Sequence, residues 1–195
     1  MKLSITHQES YSRGELILRT LLGGIYIAVP HFFLIIFVSI WSGILSFVTF
    51  WIVLFTAKFP EGIFDFQIGF LQWGMRLNAS LANLVDGYPS FGVKGESDKV
   101  SLVVERPESV SRGLVIVRAL FGGIYVGIPH MFCLMFRMIA GGFLSFLAWW
   151  AILFTGKYPE RWHAFNVGTN RWSTNISLYL GFFTDTYPRF SGKEE

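Results

Sequence analysis

Cysteine is nearly absent: Cys133 stands alone among 195 residues, so a disulfide within the chain is excluded, and a thiolate metal cluster with it. Set in an apolar run, Cys133 reads as a small core-filling side chain. Charge is also scarce. Only 15% of residues are charged and 52% are hydrophobic, whereas a soluble domain carries about 25% charged residues. The few acids are scattered. The sequence has no Ser-His-Asp order, no glycine loop that cradles phosphate, no HExxH and no paired carboxylates. An enzyme is therefore not expected, and no cofactor is implied. The first 15 residues lack an apolar core followed by a small-residue cleavage site, so a signal peptide is not expected either.

What the chain has in abundance is long apolar sequence. Leu16 to Thr56 contains one formal charge, Arg19, and one other ionisable ring, His31. At 1.5 Å per residue a helix of that length runs to roughly 60 Å, about twice the ~30 Å hydrocarbon core of a bilayer. The expectation is a transmembrane hairpin, with its tip at Ser39 to Gly43, and a second from Val115 to Thr155, with its tip at Ala140 to Gly142.

An offset of 99 residues superposes the chain on itself without a gap. It matches Ser12-Arg13-Gly14 with Ser111-Arg112-Gly113, Arg19 with Arg118, and Pro30-His31 with Pro129-His130. It continues through Lys58 and Lys157, Trp73 and Trp172, and Asp86-x-Tyr88-Pro89-x-Phe91 with Asp185-x-Tyr187-Pro188-x-Phe190. Self-similarity at a fixed period marks two copies of one structural unit. The units are 1–92 and 100–195, joined by a polar linker at 93–99.

Each unit opens on a polar and apolar alternation, Lys2 to Thr6 or Val100 to Glu105, that reads as a short β-strand. The two strands either pair with each other or offer an edge to a partner protein. Spans are expected at about 16–38 and 43–57, and at about 115–138 and 142–156. After each pair, a Pro-Glu step starts a third helix, about 60–86 and 159–185, whose bulky residues recur at steps of three and four. That helix is read as lying in the membrane interface, a third span being the alternative. The fold class is thus an all-α membrane protein of two tandem repeats, each a helical hairpin plus an amphipathic helix.

Basic residues flank the open ends of the hairpins, which places both termini in the cytoplasm by the positive-inside rule. Two crossings per unit give parallel repeats, related by a pseudo-two-fold axis along the membrane normal. The net charge of +3 sits at membrane ends, so it favours anionic lipid headgroups over nucleic acid.

The motifs ESxSR, Pro-His, LFTGKYPE, FxxG, Arg-Trp and DxYPxF resemble a bacterial membrane-protein family catalogued only as a domain of unknown function. The resemblance covers nearly the whole chain, twice. It implies a membrane location, the inner membrane of a bacterium, and no catalytic residue can be carried over from it.

Candidate residues are therefore weighed on physics. His31 and His130, each behind a proline (Pro30, Pro129), fall near the bilayer midplane, where an ionisable group is a functional candidate. Each is a structural imidazole bonded to a neighbouring helix, part of a small-molecule, ion or headgroup site, or a metal or haem ligand. The proline frees a carbonyl one turn earlier. Gly24 with Ala28 and Gly123 with Gly127 form small-x-x-x-small steps expected to pack the first helices together. Arg19 and Arg118 read as anchors that pair with phosphates or with an acid such as Glu15, Lys58 and Lys157 as anchors to phosphates, Trp73 and Trp172 as headgroup-level anchors, and Asp86 and Asp185 as caps of the turn or partners of a basic residue such as Lys58 or Lys157. Two functions fit: a non-catalytic scaffold or accessory subunit, binding lipids and a membrane-protein partner or its own copies, or a lipid- or solute-handling protein built around the Pro-His pair.

Overall fold

The protein, described for residues 1–194 by a computed structural model, contains four helices and two short strands. The order is β1 (Lys2–Ile5), α1 (Arg13–Thr56), α2 (Glu61–Leu81), β2 (Val100–Val103), α3 (Arg112–Thr155) and α4 (Glu160–Leu180). The helices α1 and α3 are each 44 residues long and apolar enough to cross a membrane.

The expected hairpin tips are not turns. Ser39 to Gly43 and Ala140 to Gly142 lie in mid-helix, so the paired spans fuse into one continuous helix in each repeat. The physical reason is local. A mid-helix glycine costs only about 1 kcal/mol, and the serines bond within the helix or to its neighbour instead of turning the chain. Ser39 donates to the Ile36 carbonyl at 2.8 Å, Ser46 to that of Ser42 at 2.8 Å, and Ser42 to Gln67 on α2 at 2.6 Å. The chain does turn four residues before α2 and α4, where Ala57 (φ 59°) and Gly156 (φ 72°) take the left-handed conformation that ends a helix.

A proline then starts the next helix, and α2 and α4 fold back along the long helices. They end at Leu81 and Leu180, earlier than the expected 86 and 185. At the end of α2, Asn83 adopts φ 54° and the Leu84 N–H reaches back to the Ala79 carbonyl at 2.9 Å.

The two repeats interlock. The strands pair with each other, antiparallel, with Leu3 opposite Leu102 and Lys2 opposite Val103. Leu3 and Leu102 are equivalent under the 99-residue offset, so a pseudo-two-fold axis passes between them, perpendicular to the sheet. Outside the ladder, Gln72 Nε2 donates to the Leu102 carbonyl at 2.7 Å and Arg171 Nη2 to that of Leu3 at 3.2 Å. These side chains occupy carbonyls that a third strand would need, so the edges are not open for strand addition.

The same axis exchanges two further bonds: Tyr11 N–H to the Gly156 carbonyl and Val110 N–H to the Ala57 carbonyl, both 2.8 Å. Each long helix therefore begins where the other ends, and α1 and α3 run antiparallel. Trp149 Nε1 to Thr20 Oγ1 at 2.8 Å and Arg13 to the Phe154 carbonyl at 3.0 Å reinforce one junction. One core spans both repeats, with Leu3, Leu102, Val53, Ile152, Leu16 and Val115 all within it.

The small-x-x-x-small steps do not pack helices together. A Cβ on Gly24 or Gly123 would meet no atom within 4 Å, and both residues are exposed. Close approach occurs at Gly69, where a Cβ would run into the Val93 carbonyl oxygen, and at Gly168, where it would come within 2.9 Å of that of Gly192. These glycines let residues 88–93 and 187–192 lie directly on α2 and α4. A Gly69→Ala variant is expected to lift the first of these straps and to lose about 1–3 kcal/mol. Faster proteolysis in the 93–99 linker would report it, and a wild-type cleavage rate would argue that the strap yields without strain.

Candidate functional site

The residues singled out by the repeated motifs converge on one structure per repeat, in which the strap after α2 or α4 clasps the long helix at three points.

The first point is an arginine. Arg19 is 7% exposed and Arg118 3%. Neither is placed as a lipid anchor. Arg19 donates from Nη1 to the carbonyls of Ser80 (2.7 Å) and Val85 (2.8 Å) and from Nη2 to Asp86 Oδ1 (2.7 Å), with Glu15 at 3.1 Å. Arg118 likewise donates to the carbonyls of Tyr179 (2.9 Å) and Thr184 (2.7 Å) and pairs with Asp185. The acids thus pair with these buried arginines and not with Lys58 and Lys157, which are exposed beyond the helix ends. A lysine on the solvent side has water for its charge, whereas a buried guanidinium needs a carboxylate. The second carboxylate oxygen accepts the Ser12 N–H, or the Ser111 N–H, at 2.7 Å. Each aspartate therefore also ties down the start of the long helix, which Ser12 or Ser111 caps.

The second point is the carbonyl that proline frees. Gly24–Ala28 and Gly123–Gly127 form a single π-helical turn, closed by the N–H of Val29 or Ile128 on the carbonyl of Gly24 or Gly123. Pro30 and Pro129 have no N–H to offer the carbonyls of Tyr26 and Tyr125 four residues earlier. Those carbonyls instead accept the hydroxyls of Tyr88 and Tyr187, both at 3.1 Å.

The third point is the histidine. His31 and His130 are fully buried. Their Nδ1 atoms accept the indole N–H of Trp73 and Trp172, each at 2.9 Å. An indole N–H only donates, so Nδ1 is unprotonated and the proton of the neutral ring sits on Nε2. Among the described residues neither Nε2 has a hydrogen-bond partner. Phe91 stacks on His31 at 3.9 Å between centroids and 11° between planes, and Phe190 on His130 at 3.8 Å and 11°. Each histidine is thus enclosed by its own repeat. The tryptophans are interior residues, 1% and 6% exposed, and not headgroup anchors. The stripe on α2 and α4 is real, but its target is the protein's own long helix.

Where the repeats meet, the Leu84 carbonyl accepts both the Tyr11 hydroxyl (3.2 Å) and His163 Nε2 (3.0 Å). Burial pushes the Tyr11 pKa up to about 12 and lowers that of His163, so both favour their neutral forms in this seam. Sequence reading missed this seam and, apart from the expected Glu15 beside Arg19, the arginine clamps. One signal was present: Arg19 precedes Asp86, and Arg118 precedes Asp185, by the same interval.

Asp-x-Tyr-Pro-x-Phe, Pro-His, Trp and the first arginine are therefore parts of one clasp, made twice. A family model matches residues 16–92 and again 118–192, which together cover most of the chain and hold both clasps. The chain belongs to DUF4389, a family described as a domain of unknown function. It carries DUF4389 as a tandem pair. Each DUF4389 match includes its own arginine, Pro-His, tryptophan and Asp-x-Tyr-Pro-x-Phe strap, while the strands that join the two lie outside both matches. No curated protein and no solved structure matches the chain.

Proposed function

We propose that the protein is a non-catalytic membrane scaffold or accessory subunit of a bacterial inner membrane, one that organises a larger membrane complex or copies of itself. The observation that carries this reading is the division of its surface. Along α1 and α3 the large apolar side chains face outward, as with Leu21 (73% exposed), Ile25 (71%), Phe55 (71%) and Phe154 (71%). On α2 and α4 the exposed positions are polar or small: Glu61, Asp65 and Asn78 on one, Arg161, Ser173 and Ser177 on the other. A contiguous apolar surface of this extent exceeds the few hundred Å² that monomeric soluble proteins tolerate, and lipid is its natural cover. The polar side is held rigid by the shared core and the sheet, which suits a platform for another protein.

The clasp supports the scaffold reading over a solute site at the histidines. Their rings are already packed against Trp73 and Phe91, or Trp172 and Phe190, from the same chain. Extraction from native membranes in mild detergent, followed by native mass spectrometry, is expected to yield homo-oligomers or a fixed complex with a second membrane protein. A partner-free monomer across several detergents would remove the scaffold reading.

A further inference from the structure

Resting on the membrane reading above, we infer that α1 and α3 do not cross the bilayer but lie along it, buried in one leaflet, with α2, α4 and the sheet above them on a single aqueous face.

Length is the first argument. A 44-residue helix is roughly 66 Å long. Its exposed apolar side chains run from Ile17 to Phe55 in α1 and from Ile116 to Phe154 in α3, nearly end to end. Fitting that length into a ~30 Å hydrocarbon core requires a tilt of roughly 60°, beyond the 0–40° seen for transmembrane helices. Standing upright would leave about half of the apolar surface in water on the two sides.

The position of the polar layer is the second. The sheet is fastened to the middle of α2 and α4, through Gln72 and Arg171. The same stretch of α2 is fastened to the middle of α1, through Trp73 to His31 and Gln67 to Ser42. If α1 stood across the membrane, the exposed Lys2 and Ser4 of β1 and Glu96 and Asp98 of the linker would be carried to the level of the hydrocarbon. A charged side chain there costs about 2.5–3.5 kcal/mol or more. Laid flat, the molecule keeps all of these in water.

Symmetry is the third. The pseudo-two-fold that pairs Leu3 with Leu102 reverses the direction of the long helices, so it runs perpendicular to them. When α1 and α3 lie in the membrane plane, this axis stands along the membrane normal and the two repeats meet the bilayer identically. Upright helices would present the repeats in inverted orientations, although both carry basic residues in the same places. The exposed cations Arg13, Lys58, Arg106, Arg112, Lys157 and Arg161 lie at or beyond the helix ends, where they can meet anionic headgroups around one rim.

The test uses the full chain with Cys133→Ser, reconstituted in vesicles of phosphatidylethanolamine and phosphatidylglycerol, with single cysteines at Glu9, Lys58, Glu96 or Gly43. All four positions are exposed, and a Cβ at Gly43 meets nothing within 4 Å. Glu9 and Lys58 lie just outside the two ends of α1, and Gly43 lies in its interior. A membrane-impermeant maleimide is expected to label Glu9→Cys, Lys58→Cys and Glu96→Cys from the same face of each vesicle, and to label Gly43→Cys from neither. Labelling of the first two from opposite faces, or of Gly43→Cys from the face opposite the others, would overturn the in-plane orientation while leaving membrane residence intact. Release of the protein by alkaline carbonate wash would instead overturn both readings.

Discussion

An Asp86→Ala variant is expected to lose about 3–5 kcal/mol of stability, the usual consequence of stripping the partner from a buried charge. The Arg19 side chain is 3% exposed, and its paired acid 14%. With Asp86 gone the guanidinium keeps the Ser80 and Val85 carbonyls and Glu15, but that carboxylate is farther off at 3.1 Å and 41% exposed, so water screens it and it does not replace the buried 2.7 Å pair. Ser12, whose hydroxyl caps the start of α1, loses the acceptor of its own N–H as well. Lys58→Ala, by contrast, is expected to fall within about 1 kcal/mol, because an exposed cation has water to fall back on. Denaturant titration of the detergent-solubilised protein measures both. If the two variants unfold together, the arginine is solvated and the clasp is not what holds the strap. Arg19→Met combined with Asp86→Ala should be less damaging than the sum of the single changes, since removing both charges removes the unpaired one.

The repeat, the strands, the Pro-started third helices and the freed carbonyls were all legible in the sequence, because each rests on local chemistry or on self-comparison. Pro30 announces that the Tyr26 carbonyl needs a partner, though not that Tyr88, more than fifty residues on, supplies it. The apolar run at Leu16 to Thr56 announced helix apolar enough to cross a membrane, but not that the helix runs unbroken. Hydropathy is blind to whether a 44-residue helix bends back or continues, and Ser39, Ser42 and Gly43 are as compatible with a helix as with a turn. The stripe on α2 gave the correct face with the wrong neighbour. Periodicity reveals that Trp73 faces something apolar, and only the fold shows that this is α1. The pairing of Arg19 with Asp86 was hidden for the same reason, as a contact between distant segments leaves no mark beyond the repetition of both partners in each unit.

The histidines bear directly on how the clasp divides between stability and function. His31→Phe keeps an aromatic ring for Phe91 to stack on but removes the acceptor for the Trp73 N–H. A buried donor left without a partner costs about 1–3 kcal/mol. His31→Ala removes the ring as well and opens a cavity beside Phe91, so its loss should approach the about 3–5 kcal/mol typical of large-to-small changes in a packed core. Trp73→Phe strips the Nδ1 acceptor of its donor from the other side. In a double-mutant cycle, His31→Phe with Trp73→Phe should therefore recover about 1–2 kcal/mol relative to the sum of the singles, because the two vacated partners are each other's. The pseudo-symmetric pair, His130 with Trp172, should return a coupling of the same sign, since its hydrogen bond has the same 2.9 Å length and its ring the same stacked neighbour. A ligand-binding histidine would behave differently. Its replacement would leave unfolding unchanged while abolishing function, and no coupling to the tryptophan would be seen. Equal unfolding of wild type and His31→Phe would therefore return these residues to the role of a site, whereas a measurable coupling in both repeats assigns them to the joint that holds the strap against the long helix.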